Sequence, residues 1–306
     1  SATLPPVDLL LRAITADASL RVVAAVTTDL VVEACRRHEL RGVEAVVLGR
    51  ALTAGCLLTT LTKSSGERLR VDLRTDGLLG GLLLDARGDG SVRGCMRRSL
   101  GDHPLRHVIE ASPGRLPLAP LMGTRGVLSV TRDLGLENTY QGHVDAPVGE
   151  VDGDLEHYLN TSEQIPSLLH CDVVLDGAGG VLRAAGLLCQ TFPGGDPEVL
   201  APLRQRLAHG GLMSLLHQPR APHELVGFIL DGEDFIDMGS QPLAFRCHCD
   251  PSVARGVVAT LGAEDIEALA TEREETEVRC AFCGERYILR PPDLRALAAE
   301  LRSTRS

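Results

Sequence analysis

Phe245-Arg-Cys-His-Cys249 and Cys280-Ala-Phe-Cys-Gly284 decide how this chain is organised. Four cysteines fall in two close pairs near the C-terminus. Two short pairs brought together by a fold supply the four thiolates that zinc takes in a tetrahedral site. The i, i+2 spacing of Cys247 and Cys249 puts both sulfurs on one face of an extended segment. Ala281-Phe282, followed by Gly284, suits a tight turn that points the sulfurs of Cys280 and Cys283 inward. One CxxC alone is weak evidence. Two paired motifs this close predict a single zinc ion held by Cys247, Cys249, Cys280 and Cys283, with His248 left over because four thiolates fill the site.

With 306 residues the chain is long enough for a sizeable core and two structural units. Its 44% hydrophobic and 24% charged residues are ordinary for a soluble globular protein. No apolar run is read as approaching the ~20 residues of a membrane span, and no signal peptide is read at Ser1-Ala-Thr-Leu-Pro-Pro6. A net charge of −10 argues against nucleic acid as the partner, since phosphate binding needs a basic footprint. Aromatic residues make up only 3%, with no Trp, so base-stacking platforms are also poorly supplied. Cys35, Cys56, Cys95, Cys171 and Cys189 stand singly in apolar surroundings and read as small buried hydrophobes. That usage points to a reducing compartment, hence the cytoplasm.

Arg21–Thr27 is β-branched and predicts a first strand. A helix follows from Asp29, with Val31, Val32, Cys35 and Leu40 roughly on one side. Val43–Leu61 is apolar almost all round and predicts a helix buried in the core. Strands are expected over Arg70–Arg74, Leu82–Asp85, Val92–Met96, Val127–Thr131 and Tyr140–His143. The glycine turns between them lack phosphate-loop spacing and a following Lys. Leu155–Ser162 reads as a short helix. Leu168–Leu175 and Val181–Thr191 read as a closing hairpin. Helices mixed with runs of strands favour an α+β fold over a doubly wound sheet.

Phe192-Pro-Gly-Gly-Asp-Pro197 marks a boundary. Beyond it, Leu200, Leu203 and Leu207 lie at helical spacing, Leu212, Met213, Leu215 and Leu216 cluster, and Leu225–Leu230 includes Phe228 and Ile229. Pieces this short are not stable alone and must lie against something else. Asp250-Pro251 reads as the N-cap and first residue of a helix over Ser252–Leu261. A short acidic helix over Glu264–Ala270, a charged loop over Thr271–Thr276, a strand over Arg286–Leu289 and a last helix from Asp293 complete the chain. So little apolar material follows Cys249 that the metal is expected to supply most of the folding energy there.

Tyr140-Gln-Gly-His-Val144, Tyr158-Leu-Asn-Thr-Ser-Glu-Gln-Ile-Pro166 and Ala185-Gly-Leu-Leu-Cys-Gln190, together with Phe245–Cys249, Leu261–Leu269 and Cys280–Tyr287, resemble the core and zinc-domain motifs of the redox-regulated heat shock protein 33 family of chaperones. The resemblance spans nearly the whole chain. It implies an α+β core over 1–192, a metastable helical linker over 193–245 and a zinc-binding redox switch over 246–306. It further implies that the reduced, zinc-bound form is inactive. Oxidation would pair Cys247 with Cys249 and Cys280 with Cys283, expel zinc, unfold the linker and turn on a holdase for unfolding proteins, with homodimerisation on activation. Leu200, Leu203, Leu207, Leu212, Met213, Leu215, Leu216, Leu225, Phe228 and Ile229 are then the candidate client-binding residues.

Two other classes compete. A zinc-ribbon adaptor with a static metal is possible on the cysteines alone, but the acidic charge and the large non-ribbon core weigh against it. An enzyme would need a metal or triad spacing, and His103, His107, His143, His157 and His170 fall in none.

Overall fold

The computed structural model describes residues 8–108, 115–134, 139–208 and 210–303, so the opening Ser1–Pro6 lies outside the described residues. It divides into two compact units, Ser1–Arg246 and Cys247–Ser306.

In the first unit, β1 (Leu9–Thr15) and β2 (Leu20–Val26) lead into α1 (Thr28–His38) and α2 (Gly42–Leu58). β3 (Arg68–Thr75), β4 (Gly81–Arg87) and β5 (Ser91–Met96) follow, then α3 (Ala119–Met122), β6 (Gly126–Asp133) and β7 (Thr139–Asp145). α4 (Val151–Thr161) precedes the hairpin of β8 (Ser167–Leu175) and β9 (Val181–Thr191). Three short helices, α5 (Ala201–Ala208), α6 (Gly211–Leu215) and α7 (Pro222–Ile229), precede β10 (Phe235–Pro242) and β11 (Ala244–Phe245).

The strands form two sheets, ordered β10-β1-β2-β9-β8 and β11-β5-β4-β3-β6-β7. Every pairing is antiparallel except β11 on β5. The fold is α+β, as the mixed pattern predicts. β1 and β10 are additions. The sequence reading starts its strands at Arg21 and assigns nothing over 235–242, because Phe235–Pro242 lies on an edge, is mostly exposed and shows no apolar alternation.

α2 sits against strands of both sheets, and all seventeen of its residues are buried. That is why its sequence shows no polar face. Gly49 and Gly55 let the neighbours come close: a Cβ at Gly49 would meet Val173 Cγ2 at 2.6 Å, and one at Gly55 would meet Leu84 Cδ2 at 2.7 Å. By length and composition Gly42–Leu61 does reach the size of a membrane span, contrary to the expectation that no run does, yet its apolar eighteen-residue stretch is wholly buried inside this unit. The first sheet is covered on both faces. Val23 and Ala25 face the α2 core, while Val22, Ala24 and Val26 face a second core beneath α5–α7. Alternate side chains of a strand point to opposite faces, so a strand between two cores reads as a continuous apolar run.

Two buried charged features fix this arrangement. Arg50, in the middle of α2, donates to Leu116 O at 2.9 Å and Glu150 Oε2 at 3.0 Å. Arg115 joins Asp152 and Asp172, and His170 Nε2 lies 2.9 Å from Asp172 Oδ2. Burial alone would push the Asp152 carboxyl up, but the surrounding charges of Arg115, His170 and Arg50 hold it at about 2. The other feature is Asp8. Its carboxylate caps α1 from a distance, accepting from Asp29 N at 3.0 Å and Leu30 N at 2.6 Å. Here burial dominates and raises the carboxyl to about 6.

The two signs differ. A folded value above the unfolded one means that the folded state binds the proton more tightly, so Asp8 costs stability as pH rises from about 4 to 6. Asn caps a helix about as well as Asp. Asp8→Asn keeps one accepting oxygen but sets an amide NH2 against the second helix N–H, so its expected effect is on the profile: it should remove the fall in stability from about pH 4 to 6. Urea unfolding at several pH values measures this. A variant that keeps the wild-type slope between about pH 4 and 6 contradicts it.

Candidate metal centre

The second unit holds α8 (Pro251–Ala259), α9 (Ala263–Glu272), the hairpin β12 (Thr276–Arg279) and β13 (Arg286–Leu289), and α10 (Pro291–Ser303). Asp250 caps α8, accepting from Ser252 N at 2.7 Å and Val253 N at 3.0 Å. Pro251 follows it at the first helical position, where a missing N–H costs nothing. The expected charged loop over Thr271–Thr276 is shorter than read: α9 runs on to Glu272 and β12 already begins at Thr276. The apolar core is small. Val258, Ile266, Ala270, Leu289, Leu294, Leu297 and Ala298 are its buried members.

That hairpin carries one cysteine pair in its turn. Cys280 N donates to Glu285 O at 2.8 Å and Gly284 N to Cys280 O at 2.9 Å, with Gly284 at φ +74°, a conformation glycine adopts without strain. The turn brings Cys280 and Cys283 together. The other pair comes from the stretch just before the Asp250 cap. The four sulfurs lie within 4.8 Å of one another. Cys247 Sγ is 3.7 Å from Cys280 Sγ, and Cys249 Sγ is 3.3 Å from Cys283 Sγ. Four sulfurs bonded at about 2.3 Å to one tetrahedral ion stand about 3.8 Å apart, so the donor set fits a metal of that size. Cys283 is buried and the other three are half-buried. Burial pushes the thiols of Cys249 and Cys283 up, so a bound cation is what would make them thiolates at neutral pH.

The four expected metal ligands are thus brought together. One neighbour was not picked out from the sequence. Tyr287, on β13, donates its hydroxyl hydrogen to Cys249 Sγ at 3.2 Å. Its place four residues beyond Cys283 was the available signal.

The ten apolar residues over 200–229 all lie in the first unit, on α5–α7 and the turns beside them. Leu200, Leu203, Leu207, Leu212, Leu216, Leu225 and Ile229 are buried, and Met213, Leu215 and Phe228 are half-buried. They cover Leu11, Val22, Val26, Leu168 and Leu187 of the first sheet. Of the single cysteines, Cys35, Cys56, Cys171 and Cys189 are buried, and burial raises each of these thiols.

A family model described as Hsp33 protein matches residues 8–290. The 33 kDa chaperonin of Geobacter sulfurreducens is 34% identical over 295 residues, covering 96% of this chain and 96% of that protein. The 33 kDa chaperonin of Syntrophotalea carbinolica is also 34% identical, over 95% of this chain and 99% of its own length. Among solved structures, the 33 kDa chaperonin (heat shock protein 33 homolog) of Thermotoga maritima superposes with a TM-score of 0.82 at 25% identity, covering 97% of this chain and 99% of that one.

Replacing Cys283, the most buried ligand, with Ala leaves three sulfurs and a void. Purified Cys283→Ala should carry well under one metal ion per chain. It should also lose the helical signal of α8–α10, because structural sites of this kind contribute about 10–16 kcal/mol to folding. Metal analysis with circular dichroism checks both, and a folded, metal-free second unit would contradict the prediction.

Proposed function

The chain belongs to the Hsp33 family of chaperones, and from that premise we propose that it is a redox-switched holdase: zinc-bound and inactive when reduced, client-binding when oxidised. The observation that carries this reading is the convergence of four cysteine sulfurs in a unit whose apolar cluster has only seven buried members among the described residues. Zinc is the metal best suited to four thiolates. When bound, it holds the sulfurs deprotonated and ties the two cysteine pairs together.

Thiolates are also the form that peroxides attack. Two thiolates and one hydroperoxide give a disulfide: the S–S bond forms, the O–O bond breaks, and the two oxygens leave as water or alcohol after protonation. Pairing Cys247 with Cys249 and Cys280 with Cys283 takes all four sulfurs out of the ligand set. Disulfides closing loops this small stabilise by about 2 kcal/mol or less each. They replace a metal contribution of about 10–16 kcal/mol. The second unit then unfolds, since its own core cannot make up the difference.

Upstream along the chain, loss of order reaches the edge strands β11 and β10 and then α5–α7. Those helices are short, at eight, five and eight residues, and are held to the sheet by apolar contact of residues such as Leu203, Leu212 and Ile229. Clefts of about 530 Å³ and 270 Å³ flank α5, both lined by Arg204 and Ala208, and Arg204 pairs with Glu156 at 2.8 Å from a half-exposed position. Their release bares Leu203, Leu207, Leu225 and Ile229 together with the sheet face beneath, a contiguous apolar surface for non-native chains. We place the protein in the reducing cytoplasm, with the oxidised form a homodimer.

Light scattering from a heat-unfolding client protein tests the reading, with reduced and peroxide-treated samples run in parallel and metal release followed with a chromogenic chelator. Suppression of scattering should appear only after oxidation and in step with metal loss. Metal loss without any gain in suppression would make the site a static structural one and favour the adaptor reading.

A further inference from the structure

The hydroxyl of Tyr287 points at one particular sulfur. Tyr287 lies opposite Val278 in the β12–β13 ladder, on the strand that follows the Cys280–Cys283 turn. Yet its bond goes to the other cysteine pair, to Cys249 Sγ at 3.2 Å. The ring is half-buried and reaches the sulfur from the hairpin side. A hydroxyl donated to a thiolate is a charge-assisted hydrogen bond, stronger than one to a neutral thiol. It draws on the lone pair that an electrophile must use. Such outer partners orient metal ligands and adjust their reactivity.

We propose that Tyr287 is a positioning residue that restrains oxidation of Cys249 and so sets how much peroxide the cluster withstands. The inference rests on the proposed oxidation of these cysteines and deepens it. In the step concerned, a Cys249 lone pair attacks a hydroperoxide oxygen. An S–O bond forms, the O–O bond breaks and the leaving oxygen departs as hydroxide or alkoxide, so that sulfur loses two electrons and the peroxide gains them. The resulting sulfenic acid condenses with the Cys247 thiol, forming S–S and releasing water. The Tyr287 hydrogen bond weakens the attacking lone pair in the first of these steps. Condensation is left alone.

The test compares zinc-loaded wild type with Tyr287→Phe, which keeps the ring and removes only the donor. Samples are treated with limiting hydrogen peroxide, quenched with a sulfenic-acid trapping reagent and mapped by mass spectrometry. Trapping at Cys249 should be about three- to ten-fold faster in the variant, the range expected for loss of one hydrogen bond. Trapping at Cys280 should change much less. Equal rates at Cys249 overturn the proposal, as does a slower rate, which would make Tyr287 a proton donor to the leaving oxygen. If Tyr287→Phe fails to hold zinc, wild type grown with 3-fluorotyrosine decides the matter. That hydroxyl is a stronger donor on a ring of nearly the same shape, and trapping at Cys249 should slow; no change or faster trapping overturns the idea. Client aggregation is not the readout. A protein whose cysteines oxidise without gaining holdase activity defeats the functional reading and leaves the result for Tyr287 standing.

Discussion

Four sulfurs within 4.8 Å of one another, drawn from two segments far apart in the chain, are the constraint on which the second unit depends. The segment before α8 has no sheet partner within that unit, and the β12–β13 hairpin is four residues a side. An isolated two-stranded hairpin is marginal in water. Packing of α9 against α10 over Ile266, Leu294 and Leu297 adds some stability. None of the four cysteines is a member of that apolar cluster. Thiolates around a cation would tie the two pairs together, and on the function proposed above the fold of the unit follows the state of its sulfurs.

The first unit rests on the opposite principle. α2 is buried all round, so every neighbour must satisfy it. Where a charge enters that core, as at Arg50, it is met by Glu150 and a carbonyl. Breaking such a pair by removing one partner is costly because the other charge stays buried. This unit is anchored where it meets α2, and its second core lies on the other face of the first sheet, under α5–α7. On that reading the two regimes are divided along the chain, with the cysteine-bearing end taking its stability from a metal and the body from its core.

Much of this was legible in the sequence because it has short-range signatures. The CxC and CxxC pairs, the Asp250-Pro251 cap, the all-apolar run of α2 and the β8–β9 hairpin each carry their evidence within a few residues. What escaped depends on partners far away. β10 shows as a strand only because β1 lies beside it, with Leu9 opposite Pro242 and Thr15 opposite Phe235. The cap of α1 comes from Asp8, not from Thr27 next to the helix, whose hydroxyl is engaged with Thr53 at 2.6 Å. The Arg115–Asp152–Asp172 group gathers residues from three separate segments, and no spacing rule marks it. At the cluster, the ligands could be read from their spacing. The Tyr287 bond could not, since it requires knowing which way a β13 side chain faces.

β10 and β11 stand at the outer edges of the two sheets, and both lie between α7 and the cysteine cluster in the chain. Any rearrangement that peels them away leaves β1 as a new edge with a row of unpaired backbone N–H and C=O groups, and lengthens the open edge of β5, of which β11 covers only Ser91 and Val92. Such an edge recruits an extended segment of another chain by main-chain hydrogen bonding, whatever its side chains. Apolar surface selects partners by composition, whereas an open ladder selects them only for being unfolded. In the proposed holdase, having the last strand of each sheet shortly before Cys247 in the chain would let one event offer both kinds of recognition.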